Sequence, residues 1–358
     1  MIVVGAGIVG ASIVYHLARR GVSVTVIDRD TPAGGASGKS FAWINASYPK
    51  QPFSYHLLSR LGVLAYRRLQ TELDLDVRWG GSIQWADRPE QQALLREGVE
   101  RQQSYGMPVQ MIPMDAARVL EPNVDFSAAA EVAYSELDAA IDAPSAVRVL
   151  LAAAERHGAR LLFSCELTGI KVRSGRLSGI ETSRGNMAAE RLILAAGAAT
   201  HELAAIVGVE FAQAPTAGII VTTEPISPLL TTVVVAPGVY LRQQRDGRVV
   251  LGEPSGPVRP LVSEARSHGE RIKATAQRYL PGLSGVEIET VTIGLRPMPL
   301  DGKPIVGAPD AFPDIYLAVM HSGVSLAGVV GQLAALELID GSRSELLADF
   351  RVERFPAG

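Results

Sequence analysis

The sequence predicts an α/β protein with α+β insertions: a parallel-sheet nucleotide domain, discontinuous in the chain, and a second, β-rich domain. Three observations carry this reading. The chain opens as strand, glycine turn, helix and strand within the roughly 30 residues of one βαβ unit. Near its middle an apolar strand, RLILAAGA, runs straight into Gly197. Near its end another strand, IYLAVM, leads through the small-residue turn HSGVSLAG into a helix. Between these nucleotide-type elements, short β-rich runs alternate with turns.

The opening elements set the pattern. Residues 2–4 are an apolar run, 5–10 (GAGIVG) the turn, and 11–20 a helix that Gly21 stops at its C-terminal cap. Residues 22–28 (VSVTVID) are rich in β-branched side chains, as expected of a parallel strand buried on both faces. Residues 31–51 are rich in Gly, Ser and Ala and read as a loop, followed by a helix over 53–73. Residues 77–140 mix short strands with a charged helix. A further helix over 144–157 precedes a β meander ending at Gly197. In 209–295 the clearest unit is VYLRQQ-RDG-RVVLGE, where Asp246-Gly247 signals a hairpin turn. A helix is expected at 263–279, and the segment IGLRPMPLDGKPIVG then reads as a return to the α/β pattern, closing with a helix to 339. Residues 1–77, 139–208 and 295–358 are thus assigned to the nucleotide domain, and 78–138 and 209–294 to the second.

Bulk properties agree with this organisation. The 358 residues suit two interleaved domains of roughly 100–200 residues each. Hydrophobic residues make up 47% and charged residues 20%, which excludes a disordered chain. The charge sum, 34 − 37 = −3, excludes a polybasic nucleic-acid binder. The single cysteine, Cys165, excludes an internal disulfide framework and a Cys-rich metal site, so a reducing, cytoplasmic setting without a metal is expected. Residues 2–18 and 322–339 are apolar, but glycines interrupt the first, and Gln332 and Glu337 mark the second as a core helix at the short edge of the ~20 residues a membrane span needs. No membrane span is expected.

Gly5-x-Gly7-x-x-Gly10, with Ile8 and Val9 inside it, follows a strand, opens a helix and precedes Asp28, eighteen residues past Gly10. That context is the dinucleotide fingerprint: glycines for a tight turn, close approach to a pyrophosphate and helix–strand packing, and an acid for the ribose hydroxyls. The pyrophosphate sits at the helix N-terminus. NAD and FAD share this fingerprint. Arg29 could face a 2′-phosphate or simply be solvated. The turn at Ala196 and Gly197, and a late helix N-terminus that would lie near the far end of an extended cofactor, favour FAD.

These segments, in order, resemble the FAD-dependent D-amino-acid oxidase family in its broad sense, which includes glycine oxidase, sarcosine oxidase and D-amino-acid or D-hydroxyproline dehydrogenases. The resemblance covers nearly the whole chain. It implies a Rossmann-like FAD-binding domain and oxidation of an amino acid's C–N bond to an imine, with hydride transfer to flavin N5. By the same resemblance Arg296 in G-L-R-P holds the substrate carboxylate and Tyr240 hydrogen-bonds it. His321 to Ala327, with Gly323, Val324, Ser325 and Leu326, wraps the flavin's pyrimidine edge. Backbone near Leu167 contacts adenine, and Ser37 to Ala42, including Ser40, runs beneath the isoalloxazine ring.

Residue chemistry bears on these assignments separately. Arg296 lies between Leu295 and Pro297, an unusual setting for a solvated cation, and a planar guanidinium suits bidentate carboxylate recognition; a structural salt bridge is the other reading. Tyr240 is either a ligand group or a half-buried strand aromatic. Arg242 shares its face by period-two alternation and is a second carboxylate candidate. His321 is either a flavin contact or a satisfied core histidine. Phe41, Trp43 and Met298 are candidate pocket walls.

Family members with cysteine-linked flavin carry that cysteine near the strand before the GLRP-like segment; none is there, so non-covalent FAD is expected. The lysines that the sarcosine-oxidase branch places at the flavin and the carboxylate fall on Val250 and Ser325, which leaves oxidase and dehydrogenase both open. The electron acceptor is oxygen or another carrier, and the chain works as a homo-oligomer or with partner subunits. The alternatives are a flavin-binding subunit of a multi-subunit amino-acid dehydrogenase and an NAD(P)-dependent dehydrogenase.

Overall fold

The computed structural model describes residues 1–48, 50–127, 129–254 and 262–355. A six-stranded sheet runs in the order Ile305–Gly307, Ile315–Val319, Leu192–Leu194, Ile2–Val4, Thr25–Ile27 and Arg160–Leu162. All neighbours are parallel except the first pair. Alternation decides which residue packs where. Val3, Val26 and Ile193 face a core shared with the helices Ile8–Arg19, Phe53–Glu72, Ala143–Arg156 and Gly323–Asp340. Ile2, Val4, Ile27, Leu192 and Leu194 face the opposite core, shared with the β meander of 167–187. With both faces covered, each strand reads as a continuous apolar run, as parallel strands do. The run at 22–28 yields a shorter strand than expected, Thr25–Ile27.

The helix Gly323–Asp340 is long and apolar enough to cross a membrane, with a mean hydropathy of 1.4, yet 61% of that window is buried inside the molecule. It packs between the glycine-turn helix and the helix Phe53–Glu72, so its apolarity serves the core. Gly341, left-handed at φ 67°, ends it.

The second sheet has eight strands, in the order Ile288–Pro299, Gln213–Thr223, Val249–Gly252, Val239–Gln243, Val233–Ala236, Ser82–Gln84, Val132–Ser135 and Val109–Ile112. The helix Ala265–Gln277 covers one face. The expected hairpin forms, with Gly247 at φ 93°.

One boundary differs from expectation. The division at residues 294 and 295 falls inside the strand Ile288–Pro299, which pairs with Gln213–Thr223 along its whole length. Arg296 therefore belongs to the large sheet, not to the nucleotide domain. The segment IGLRPMPLDGKPIVG, expected as a return to the α/β pattern, instead completes this sheet, and Pro297 and Pro299 fit because it is an edge strand, where missing N–H donors are tolerated.

A small third sheet, Trp43–Ile44, Ala139–Ile141 and Val77–Arg78, joins the two halves. Behind it lies Asp138, fully buried. Its carboxylate accepts from Ala46 N–H (3.0 Å), Ser47 N–H (3.2 Å), Trp43 Nε1 (3.2 Å), Ser82 Oγ (2.7 Å) and Ser47 Oγ. Burial pushes this carboxyl upward and the hydrogen bonds oppose the shift. One acid thus bolts the 43–47 loop to the first strand of the large sheet.

Candidate active site

The glycine turn crosses the end of the strand Leu192–Leu194. Gly5 sits at φ 109°, and a Cβ there would lie 2.3 Å from the Ala195 carbonyl oxygen; at Gly10 it would lie 1.9 Å from the Gly5 carbonyl oxygen. Only hydrogen fits either place. The helix Ile8–Arg19 begins at Gly7 with no side-chain cap and no acid in its first turn. The helix Gly323–Asp340 begins at Ser322 in the same way. The two ends meet: a Cβ on Gly323 would stand 3.2 Å from Val9 Cγ2. Two positive helix ends side by side, neither capped by its own N-cap side chain nor carrying an acid in its first turn, suit an anionic, extended dinucleotide, so the residues present fit FAD.

The cradle's other parts are legible in the contacts. Asp28 accepts from Ala6 N–H at 2.6 Å with one oxygen and from Asp30 N–H at 2.9 Å with the other. It therefore shapes the turn as well as offering its remaining lone pairs to a ribose. Ser37 Oγ accepts from Ile8 N–H at 2.9 Å, linking the loop to the helix start. Gly197, at φ 60°, opens the turn after Ala196. Arg29 is exposed beside Asp30 (3.7 Å) and Glu166 (4.0 Å), as the solvated reading has it.

In several of the expected contacts the side chain is engaged elsewhere and backbone is what is left to face the cradle. The Leu326 side chain is buried in the core and its N–H is spent on Ser322 O at 3.0 Å. Ser325 Oγ accepts from Asn45 N–H (3.0 Å) and donates to Trp43 O (3.1 Å), so only its backbone faces the helix end. Val324 O accepts from Tyr66 OH at 2.7 Å. Ser40 Oγ donates to Ser37 O at 3.1 Å. The Leu167 side chain is core, leaving backbone at a β-bulge. A helix N-terminus offers N–H groups; the motif alone does not say which side chains turn inward.

The loop of residues 36–42 lies between cradle and large sheet: a Cβ on Gly294 would stand 2.7 Å from Lys39 O. Ala42 is left-handed at φ 54° and buried, and its carbonyl accepts from Ile141 N–H at 3.1 Å. Such strain persists only where packing over-determines it.

Sheet register places the substrate-side groups. Tyr240 pairs with Gly252, Gly252 with Ile220, and Ile220 with Thr292. Arg296, four residues beyond Thr292, shares that face by alternation. Opposite Arg296 is Thr216. The guanidinium lies across Gly218, where a Cβ would meet Nη2 at 2.6 Å. Arg296 Nη1 and Thr216 Oγ1 are buried without a hydrogen-bond partner among the described residues. Burial lowers the Arg296 pKa, and Tyr240 and Glu253 oppose this. Tyr240 packs on Phe41 and Trp43, ring centroids 5.9 and 6.3 Å away, and burial raises its phenol pKa. Met298 lies on the same strand, opposite Ala214.

Arg242 shares that face, but its guanidinium is engaged by the wall. Its Nε donates to Phe41 O and its guanidinium lies 5.6 Å from the Phe41 ring. Burial pushes it down to about 10. It holds the wall, and the second-carboxylate reading falls away.

His321 opens the loop above the core helix. It is exposed, and partial desolvation, then the positive charges of Arg296 and Lys50, lower its pKa, which favours a neutral ring at neutral pH. Lys50, which no motif marks, donates to Ser322 Oγ at 3.0 Å, the hydroxyl that Tyr55 OH also reaches at 3.0 Å. Burial lowers the Lys50 ammonium to about 8. Arg296, Tyr240, His321 and Lys50 thus form one neighbourhood between sheet and cradle.

A double helix-end cradle facing a sheet-borne arginine defines a nucleotide-cofactor oxidoreductase. The family profile described as FAD dependent oxidoreductase matches residues 1–336, and the chain belongs to that family. Its cofactor is FAD, so the NAD(P) alternative falls away. The chain is 27% identical to glycine oxidase of Pseudomonas aeruginosa, over 95% of this chain and 94% of that one. It is 25% identical to an opine oxidase subunit of Agrobacterium tumefaciens, over 100% and 98%. Its fold matches the crystal structure of L-proline dehydrogenase from P. horikoshii with a TM-score of 0.88, at 22% identity, covering 99% and 96%.

Proposed function

We propose that this chain oxidises the C–N bond of a small amino acid to an imine, with Arg296 as the carboxylate anchor. The observation that carries the reading is the half-buried Arg296 guanidinium, laid across Gly218, whose Nη1 is buried and unpartnered among the described residues. A buried cationic donor without an acceptor is costly, and a carboxylate satisfies it bidentately. The names of the relatives, glycine oxidase and an opine oxidase subunit, support the same substrate class.

The chain's own residues do the following work. Arg296 fixes the carboxylate and Tyr240 OH donates to it, which sets the α-carbon in one orientation. Phe41, Trp43 and Met298 exclude water. The positive charges of Arg296 and Lys50 disfavour a substrate ammonium, so the amine sheds its proton to solvent and is held neutral. His321, uncharged at working pH, hydrogen-bonds without adding charge. When bound, FAD supplies two-electron acceptance from the substrate carbon. The imine then hydrolyses in water.

The test is an anaerobic absorbance spectrum of the purified flavoprotein with pools of D-amino acids and of N-methyl or cyclic amino acids. Bleaching by one pool is expected, and its loss in Arg296→Ala at low substrate. A yellow protein that no pool bleaches sinks the reading. Admitting air then separates acceptors: prompt re-oxidation marks an oxidase, persistence of the reduced spectrum a dehydrogenase using another carrier. Work inside a larger assembly is the second reading, favoured by the full-length match to a protein named as a subunit.

A further inference from the structure

The site holds a second cation that the carboxylate anchor does not explain. Among the described residues the lysines in ion pairs are Lys171 and Lys303; Lys50 instead donates to a neutral hydroxyl, Ser322 Oγ, and lies 4.9 Å from the Tyr55 ring centroid. Asp138 is the acid whose charge bears on it, and that carboxylate already accepts five hydrogen bonds. Ser322 adjoins His321, and the positive charges of Arg296 and Lys50 both act on that ring. Two cations without an ion-pair partner among the described residues therefore flank one histidine, one rising from the large sheet and one from the loop beside the core helix. A half-buried lysine whose hydrogen-bond partner is a neutral hydroxyl gains from a directly bound anion, and one substrate carboxylate engages only one of the pair.

We propose that Lys50 is the anchor for a second anionic group, and that the substrate is an amino acid carrying two carboxylates, the second on its nitrogen substituent or side chain. This rests on the reading of Arg296 as the first anchor. His321, next in sequence to Ser322, feels both cations and carries no negative charge that would repel a second carboxylate. Lys50 acts as a point charge on a flexible stem, which suits a second carboxylate whose distance from the first varies.

The test uses the purified flavoprotein and reads perturbation of the oxidised flavin spectrum by unreactive ligands: malonate, succinate and glutarate against acetate and propionate. One dicarboxylate is expected to bind at least tenfold more tightly than either monocarboxylate. Lys50→Met should bring the ratio of the two affinities toward one, and Lys50→Arg should restore it. Anaerobic bleaching by iminodiacetate and D-glutamate, compared with glycine and D-alanine, reads the same preference in turnover. Equal binding of mono- and dicarboxylates by the unaltered protein overturns the proposal, as does a preference that survives Lys50→Met. If dicarboxylates bind in a Lys50-dependent way but no amino acid bleaches the flavin, the two-anion site stands and the oxidation reading fails.

Discussion

Arg296 is half-buried, yet one of its guanidinium nitrogens, Nη1, is fully covered and has no acceptor among the described residues. Lysine in its place keeps the charge but loses the planar fork. A hydrogen bond to a charged group contributes about 1.5–3 kcal/mol, and each 1.4 kcal/mol is tenfold. Arg296→Lys should thus raise KM by about 10- to 100-fold with a smaller change in kcat, measured by steady-state kinetics on the bleaching amino acid. Thr216, directly opposite, should show a weaker effect of the same kind in Thr216→Val. The pH profile follows from charge: kcat/KM should climb as pH rises through the amine's own ionisation. His321, pushed down to about 4, should leave no inflection between pH 6 and 7, and an inflection there that disappears in His321→Asn would contradict its neutrality.

At the scale of elements, the glycine turn and the hairpin act through contacts close in sequence, and both are legible in the amino-acid order alone. The groups that are not legible there depend on register. Thr216 meets Arg296 across eighty residues of chain, and the face shared by Arg296 and Tyr240 needs three strand pairings to establish. Lys50 stands in a Gly- and Ser-rich loop with no periodicity, so nothing local marks it. Leu326 and Ser325 sit in the correct helix start, but which of their atoms face inward depends on the packing of the 43–45 loop. The expected domain boundary fails for a related reason, because the strand Ile288–Pro299 is defined by pairing with Gln213–Thr223, far away in sequence. The packing also yields a contrast. Gly10→Ala places a methyl 1.9 Å from the Gly5 carbonyl oxygen, and overpacking of this kind costs about 1–3 kcal/mol. Gly21→Ala meets nothing within 4 Å and strains only its φ of 77°. The first should lower both the melting temperature and the FAD-to-protein ratio, and the second only the melting temperature.

Across the whole molecule, ionisable groups buried in the nucleotide half set its response to acid. His16, 6% exposed, is pushed down to about 3 by burial and then by Arg68 and Arg19. Its ordinary value is 6.5, so between 6.5 and 3 the unfolded chain takes up a proton that the folded chain refuses. Stability must fall as pH drops through that window. Burial alone would raise the Glu337 carboxyl, but hydrogen bonds from Arg351, Ser344 N–H and Tyr316 hold it below its ordinary 4.5. Its contribution is complete above about 4.5 and is lost as pH falls through the lower folded value. Urea midpoints measured from pH 7 to 4 should therefore decline, less steeply in His16→Asn. Glu337→Gln should lower stability at pH 7 by about 3–5 kcal/mol, since it leaves the Arg351 charge without its partner, and should flatten the loss below pH 4.5.

The meeting of Gly7–Val9 with Ser322–Gly323 also has a consequence in time. During synthesis the N-terminal helix end emerges first, but the second end that completes the cradle follows more than three hundred residues later. Synthesis runs at about 5–20 residues per second, so for some tens of seconds the nascent chain carries half a nucleotide site. Flavin capture therefore waits until the helix Gly323–Asp340 has emerged, and fragments stalled before it should leave the ribosome colourless.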